Sequence, residues 1–122
     1  MENPTNKHKA GMRGQHEAEQ FLRDKGYIVS ERNYRIRTGE IDLIAKAEGY
    51  IIFIEVKYRR GLSYGYPREA VGRAKQKSIL RTALHYISTR GLTNQDFRFD
   101  VVEVLEKEGR IFVNHIENAF EV

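Results

Sequence analysis

The feature that most limits the fold of this chain is a pair of apolar, strand-like segments that carry charge in their interiors. Residues 41–45 and 51–56 are rich in Ile, Val, Phe and Leu, and Glu48-Gly49 between them is a turn signal. The pattern predicts an antiparallel β-hairpin centred between Glu48 and Gly49, in which the numbers of paired residues sum to 97.

This register places charged residues opposite one another, Asp42 against Glu55 and Glu40 against Lys57. Strand alternation predicts that Glu40, Asp42 and Ile44 share one face. It likewise places Glu55 and Lys57 on one face of the next strand. Because like charges directly opposite each other destabilise a sheet, Asp42 and Glu55 predict a cation between them, unless the charged face simply meets water.

The composition predicts a single domain in the cytoplasm. A chain of 122 residues can form one core, and it contains no cysteine, which excludes disulfides and zinc–thiolate sites. We predict no membrane association, because no apolar run approaches the length of a span and the N-terminus lacks the apolar stretch of a signal peptide. We expect residues 1–10, which are polar, to form a flexible segment and residues 11–122 to form the domain.

Charge is distributed unevenly along the chain. The net charge is only +4, but residues 57–81 hold eight Lys or Arg side chains against one Glu. Residues 91–122 instead hold three basic and seven acidic side chains. A basic stretch beside a carboxylate cluster suits a polyanion held against a metal site, although a basic helix face can equally well be only solvated.

Periodicity and turn signals predict an α/β (α+β) fold with a single mixed sheet flanked by helices. The predicted order is αβββαββ. The helices cover residues 11–25 and 68–89, and the strands cover residues 27–34, 39–45, 50–57, 97–105 and 111–116. Residues 61–67, which are rich in glycine and tyrosine, are predicted to form a loop before the second helix.

Acidic residues on adjacent strands, followed by Glu-x-Lys, suit the hydrolysis of phosphodiester bonds. Carboxylate oxygens are hard ligands for Mg²⁺ or Mn²⁺, and such an ion keeps several waters and contacts substrate phosphate. The ion lowers the pKa of a bound water and offsets charge that develops on phosphorus. A lysine on the same face can orient or deprotonate the attacking water.

The same residues resemble those of the PD-(D/E)XK nuclease superfamily, whose restriction-endonuclease-like fold includes archaeal Holliday-junction resolvases. Within it, the chain is identified as a member of the YraN-like family of small bacterial proteins, which are predicted endonucleases. The resemblance covers nearly the whole chain from about Gly11 onward. The motifs that carry it are, in order, Gly11-x-x-Gly14, Gly26-Tyr27, Arg32-Asn33-Tyr34-Arg35, Gly39-Glu40-Ile41-Asp42-Leu43-Ile44, Glu55-Val56-Lys57-x-Arg59, Gly65-x-Pro67-x-Glu69-Ala70-Val71, Lys75-Gln76, Phe99-Asp100-Val101-Val102 and Asn118-Ala119-Phe120.

The resemblance implies roles for individual residues by position. Asp42 and Glu55 would be metal ligands, and Lys57 would be the catalytic lysine. The backbone carbonyl of Val56 would be a further ligand. Glu40 would either support Lys57 across the hairpin or bind the metal directly when substrate is present. The implied cofactor is Mg²⁺ or Mn²⁺.

The first helix departs from the family pattern. An acid commonly follows the second glycine of Gly11-x-x-Gly14, and Gln15 occupies that position here. Glu17 follows two residues later, about 160° away around a helix with 3.6 residues per turn. An amide can bind a metal through its oxygen but adds no charge. The departure favours an alternative function, a catalytically weak or inactive nucleic-acid-binding module of the same fold.

The predicted function is that of a metal-dependent, endonuclease-like protein that hydrolyses phosphodiester bonds in structured or branched DNA. A homodimer is predicted by analogy with the resolvases, and a third hypothesis is that the basic surface binds an acidic protein. Tyr58, Tyr64 and Tyr66 either stack on unpaired bases or pack their loop onto the core. The candidate nucleic-acid contacts are Arg35, Arg37, Arg59, Arg60, Arg73, Lys75, Gln76 and Lys77.

Overall fold

The computed structural model describes residues 4–61 and 71–121, with side chains from residue 11 onward. Two helices and five strands follow one another in the predicted order αβββαββ. The helices are α1 (Pro4–Asp24) and α2 (Arg73–Thr89), and the strands are β1 (Ile28–Ile36), β2 (Gly39–Ala47), β3 (Tyr50–Arg60), β4 (Asp96–Lys107) and β5 (Arg110–Ile116). Among the described residues, no helix is long and apolar enough to span a membrane.

The five strands form one mixed sheet in the order β1-β2-β3-β4-β5. β3 and β4 are parallel, and the other neighbouring strands are antiparallel. A parallel pair needs a long crossover connection, and α2 lies within it. The fold is therefore α+β with a single mixed sheet, which confirms the predicted class.

The two helices cover opposite faces of the sheet, and each face has its own apolar core. β3 serves both cores because its residues 51–54 are all apolar and alternate between the faces. The α1 core consists of Ala18, Leu22, Tyr27, Val29, Leu43, Ala45, Ile52, Ile54, Val102 and Val104. The α2 core consists of Ile41, Ile44, Ile51, Phe53, Ile79, Ala83, Tyr86, Ile87 and Phe99.

The strand boundaries lie within three residues of their predicted positions, but α1 begins earlier than predicted. It starts at Pro4 rather than at residue 11, because residues 4–10 lack the apolar stripe by which a helix is recognised in a sequence. The flexibility of residues 1–10 stays a prediction. The second helix begins at Arg73, so the prediction that residues 71 and 72 are helical is wrong; Gly72 is extended and precedes the helix. The predicted helix start at residue 68 lies outside the described residues, as do most of the predicted loop and Tyr64 and Tyr66.

Two glycines allow the helices to approach the strands closely. A Cβ at Gly14 of α1 would lie 2.8 Å from the Cβ of Tyr58 on β3. A Cβ at Gly39 of β2 would collide with the hydroxyl oxygens of Thr82 and Ser78 on α2. The absence of these side chains therefore lets each helix pack against one of the two strands that carry the charged residues.

We expect Gly14→Ala to destabilise the protein, because the new methyl group would meet the Tyr58 Cβ, which is fixed to the backbone of β3. The expected loss in the free energy of unfolding is about 1–3 kcal/mol, measured by urea denaturation. Gly11→Ala is the matched control, since a Cβ there would meet nothing within 4 Å in the described chain. This control should gain about 0.5–1 kcal/mol from the better helix propensity of alanine. Equal effects of the two substitutions would contradict the close approach.

Candidate active site

β2 and β3 form the predicted hairpin and then separate at its charged end. Their pairing runs from the turn to Leu43 opposite Ile54, and the register that sums to 97 is confirmed over this range. Beyond it, the Val56 N–H donates a hydrogen bond to Asp42 Oδ2, with the two atoms 2.8 Å apart. Asp42 and Glu55, which the predicted register places opposite each other, therefore lie one residue beyond the last pair, Leu43 with Ile54. We call these two residues the acid pair.

The side chains of β2 do not alternate regularly around Asp42. Leu43 belongs to the α1 core, whereas Ile41 and Ile44 both belong to the α2 core. In a regular strand, residues three apart point to opposite faces. The predicted regular alternation from Glu40 to Ile44 is therefore wrong, because Ile41 lies on the same face as Ile44.

The irregularity extends to β1. This strand pairs with β2 at Leu43 and at Ile41, but not at Asp42 between them. The β1 residue at the gap, Asn33, has a φ of 50°, in the left-handed region that Asn tolerates better than most residues. Both strands are irregular at the same level of the sheet, beside the hydrogen bond that joins the Asp42 carboxylate to Val56 of β3.

Glu55 is a buried carboxylate with two lysines against one of its oxygens. It follows Phe53 on the face of β3 that α2 covers. Lys57 Nζ lies 3.5 Å from Glu55 Oε1, and Lys75 Nζ lies 3.7 Å from the same oxygen. Lys57 belongs to β3, and Lys75 lies in the first turn of α2. The structure thus brings together Asp42, Glu55 and Lys57, as predicted, and adds Lys75 to them.

The environment makes ionisation of the acid pair unfavourable. Burial, together with the negative charge of Asp42, raises the pKa of Glu55 to about 7, although Lys75 and Lys57 oppose the rise. Burial also raises the pKa of Asp42, and the hydrogen bond from the Val56 N–H opposes that rise. The two negative charges are therefore incompletely compensated by the protein.

Glu40 is paired with Arg35 rather than with Lys57. Glu40 Oε1 lies 3.1 Å from Arg35 Nη2, and the two residues are neighbours across β1 and β2. The cross-hairpin pairing of Glu40 with Lys57 is not formed, because the pairing of β2 with β3 ends at Leu43. Besides burial, the charge of Glu40 raises the pKa of Asp42, so Glu40 acts on the acid pair electrostatically.

Gln15 and Glu17, the candidate contributions from the first helix, are partly buried on α1. They follow Gly14, through which α1 approaches Tyr58 of β3. In the described part of the chain, no hydrogen bond or ion pair joins either side chain to the acid pair. A contribution of α1 to the site stays a prediction.

The candidate nucleic-acid contacts on α2 differ in their surroundings. Lys75 contacts Glu55, as described above. Gln76 Nε2 donates a hydrogen bond to the carbonyl of Val71 at 3.1 Å, which stabilises the start of the helix. An open cleft of about 470 Å³ is lined by Arg73, Gln76, Lys77, Leu80 and Glu121. Arg73 and Lys77 are exposed and present two positive charges on this surface.

The candidate contacts on the strands are more dispersed. Arg35 is ion-paired with Glu40, and Arg37 is exposed in the turn between β1 and β2. Arg59 is partly buried on β3. Arg60 Nε lies 3.6 Å from a carboxylate oxygen of Glu106 on β4. Contact of these residues with nucleic acid stays a prediction.

A second buried acid, Asp100 on β4, has no role predicted from the sequence. Arg98 Nε lies 3.0 Å from Asp100 Oδ1, the Asn118 N–H donates to the same oxygen, and His115 Nε2 lies 2.7 Å from Oδ2. Burial alone would raise the pKa of Asp100, but these hydrogen bonds together lower it. The Lys25 ammonium lies 2.9 Å from His115 Nδ1, so the ring proton is on Nε2. The cluster joins β4 to β5. The one sequence signal for it is the Arg-x-Asp spacing, which places Arg98 and Asp100 on one face of β4.

The donor set of the acid pair fits a hard divalent cation. Asp42 and Glu55 offer carboxylate oxygens, and the backbone carbonyl of Val56 is the further ligand implied by the resemblance. Burial, with a smaller contribution from neighbouring negative charge, raises the pKa values of both carboxyls, and a bound cation would favour their ionised forms. Among residues 4–61 and 71–121, no group of three or more His, Cys, Asp or Glu side chains could hold a metal ion. Remaining oxygens would therefore come from backbone, water or substrate.

The fold and the site define an α+β protein whose single mixed sheet carries a carboxylate pair, the buried Glu55 and the partly buried Asp42, where two strands separate. The chain belongs to the uncharacterised protein family UPF0102, whose model matches residues 14–104, and this confirms the predicted YraN-like family. The chain is 53% identical over 102 residues to a UPF0102 protein of Alkaliphilus metalliredigens, which covers 83% of this chain and 88% of the relative. It is 45% identical over 116 residues to a UPF0102 protein of Clostridium acetobutylicum, which covers 93% and 95% of the two chains. A UPF0102 protein of Clostridioides difficile is 49% identical over 107 residues, with 88% and 92% covered.

We expect Glu55→Gln to stabilise the protein at high pH but not at low pH. The pKa of Glu55 is about 7 in the folded protein and 4.5 ordinarily, so the native state loses stability as the pH rises between these values. At pH 8 the free energy of unfolding of Glu55→Gln should exceed that of the wild type by on the order of 3 kcal/mol. Urea denaturation at pH 5 and pH 8 measures the difference.

Glu106→Gln is the control for this pH dependence. The hydrogen bond from Tyr58 lowers the pKa of Glu106, so this carboxylate is ionised at both pH values. Loss of this carboxylate in Glu106→Gln should therefore lower the free energy of unfolding to nearly the same extent at pH 5 and pH 8. If the effect of Glu55→Gln is also independent of pH, the pKa of Glu55 is not raised.

Proposed function

We propose that this protein is a metal-dependent, endonuclease-like hydrolase that cleaves phosphodiester bonds in structured or branched DNA. The observation that carries the proposal is the acid pair beside Lys57, whose Nζ lies 3.5 Å from Glu55 Oε1, at the point where β2 and β3 separate. These are the two carboxylates and the lysine that the resemblance to the PD-(D/E)XK superfamily implies. Mg²⁺ or Mn²⁺ is the proposed cofactor.

The electrostatics of the acid pair support a cation at this position. Burial and the charge of Asp42 raise the pKa of Glu55 to about 7, so full ionisation of both carboxylates near neutral pH calls for added positive charge. Asp42, Glu55 and the Val56 carbonyl would hold the ion, because hard divalent ions prefer oxygen ligands. When bound, the ion would lower the pKa of the attacking water and offset charge on phosphorus.

The chain's own groups prepare the site for hydrolysis. The Val56 N–H orients the carboxylate of Asp42 through its hydrogen bond. Glu55 holds the ammonium of Lys57, whose side chain is largely enclosed. From this position Lys57 can donate a hydrogen bond to an attacking water or to a phosphate oxygen as negative charge develops. The lysine would therefore act on the reacting groups directly.

The distribution of charge supports a nucleic acid as the substrate. Residues 57–81 hold eight basic side chains against one acid, and Arg73 and Lys77 are exposed near Lys75 on α2. Exposed Lys and Arg side chains attract a phosphate backbone and release its counterions. A cytoplasmic location and a homodimer accompany this proposal as predictions from the sequence and from the analogy with resolvases.

The alternative function is a catalytically weak or inactive nucleic-acid-binding module of the same fold. Gln15 favours it, because an amide stands where the family pattern commonly has an acid. Such a module would bind DNA without metal-dependent cleavage. Its affinity would depend steeply on salt, with a log–log slope of about −0.9 for each neutralised phosphate of duplex DNA.

We expect Asp42→Asn to reduce Mn²⁺-dependent cleavage of a synthetic four-way DNA junction by about 100-fold or more, a loss typical of removing one electrostatic group from an active site. Binding of the junction should be retained, because the substitution leaves the basic side chains in place. Gel electrophoresis measures cleavage, and fluorescence anisotropy measures binding. Glu48→Gln, at an exposed carboxylate in the turn between β2 and β3, is the matched control and should cleave as the wild type does.

Equal cleavage by the wild type and Asp42→Asn would overturn the proposal. A wild type that binds the junction in a salt-dependent manner but does not cleave it with Mn²⁺ or Mg²⁺ would favour the binding module instead. Unchanged cleavage by Glu48→Gln would show that the loss in Asp42→Asn is specific to the acid pair.

A further inference from the structure

Two ammonium groups from different elements share one oxygen of Glu55. Lys57 Nζ, from β3, lies 3.5 Å from Oε1, and Lys75 Nζ, from the first turn of α2, lies 3.7 Å from it. The side chain of Lys57 is 19% exposed, whereas that of Lys75 is 44% exposed. Lys75 is therefore the cation that can leave the site for solvent or for another partner.

The two lysines offset part of the charge of the acid pair without a metal ion. The acid pair brings two negative charges, and Lys57 and Lys75 bring two positive charges. The neighbouring Glu40 has its own ion-pair partner. A divalent ion added to this set would be repelled by two ammonium groups a few ångströms away. Binding of the ion is therefore favoured when one lysine moves out.

The packing of α2 on the sheet does not depend on Lys75. The buried residues of the helix are Ile79, Thr82, Ala83, Tyr86 and Ile87. Ser78 Oγ also donates a hydrogen bond to the carbonyl of Thr38, which ties the helix to the turn before β2. Lys75 precedes this buried stretch, so its contact with Glu55 can break while the helix stays in place.

The start of α2 favours a phosphate as the other partner of Lys75. Residues 73–76 contain no acid, and Arg73 is exposed in the same turn. Gly72 precedes the helix and has no side chain to cap its first N–H groups. The positive end of the helix dipole adds to the attraction for an anion at this position.

We propose that Lys75 is a removable counter-cation of Glu55: it offsets negative charge of the acid pair in the free protein, and a phosphate of the nucleic acid withdraws it so that a divalent ion can bind. The inference rests on the proposed function and adds regulation to the same site. Its consequence is cooperativity, in which metal and nucleic acid raise each other's affinity by the same factor. Lys75 is a positioning residue in this scheme.

The test measures the affinity for Mn²⁺ from the electron paramagnetic resonance signal of the free ion, without DNA and with a saturating synthetic four-way junction. Lys75→Met removes the ammonium and keeps an unbranched side chain. We expect this variant to bind Mn²⁺ about tenfold more tightly than the wild type without DNA, because one close positive charge is gone. The junction should raise the affinity of the wild type and raise that of Lys75→Met much less.

Two further variants control this experiment. Lys46→Met removes an exposed lysine from β2, the strand that carries Asp42, and should bind Mn²⁺ as the wild type does. Asp42→Asn gives the background of Mn²⁺ that is bound by the DNA or elsewhere on the protein.

Three outcomes would overturn the inference. If Lys75→Met lowers the stability but leaves the Mn²⁺ affinity unchanged, Lys75 only ties α2 to β3. If Lys46→Met gains as much affinity as Lys75→Met, the effect is one of net charge. In these first two cases, Mn²⁺ binding that depends on Asp42 would leave the proposed function intact. If no variant shows Mn²⁺ binding that depends on Asp42, with or without the junction, the proposed function fails together with the inference.

Discussion

The site depends on one hydrogen bond, from the Val56 N–H to Asp42 Oδ2. It satisfies a backbone donor of β3 with a side-chain oxygen where a regular hairpin would use a backbone carbonyl. The two strands can therefore separate without leaving this N–H unpaired, and a carboxylate is held at the gap beside Glu55. Gly14 and Gly39 then allow α1 and α2 to pack closely on the two strands. Burial raises the pKa values of both carboxylates.

The hairpin could be predicted because its determinants are local. Glu48 and Gly49 both adopt positive φ angles in the turn, and the apolar runs on either side set the register. The faces of β2 could not be predicted in the same way. A strand pattern assumes regular alternation, whereas the break at Asp42 is accompanied by its bond to Val56 and by the left-handed Asn33 on β1. The bond to Val56 joins two strands, and the left-handed Asn33 lies on a third strand, so neither leaves a periodic signal in the sequence of β2.

The position of Lys75 in the site could not be predicted from the sequence either. The sequence places it in a basic stretch and the resemblance marks it as part of a motif, but its contact with Glu55 depends on how the crossover helix lies on the sheet. That contact joins the acid pair to the basic start of α2. The acid pair calls for positive charge, Lys75 supplies part of it, and in the proposed scheme a phosphate competes for that lysine. The carboxylates and the basic start of α2 would then work as one unit.

Calorimetric titration with Mn²⁺ measures whether the acid pair is a metal site. Wild type and Asp42→Asn are titrated at pH 8, where the Glu55 carboxyl is ionised. A junction made with hydrolysis-resistant phosphodiester analogues is present, and the heat of Mn²⁺ binding to this DNA alone is subtracted. We expect a saturable binding heat in the wild type that disappears in Asp42→Asn. Equal heats in the two proteins, or no binding heat in the wild type, would contradict a metal site at the acid pair.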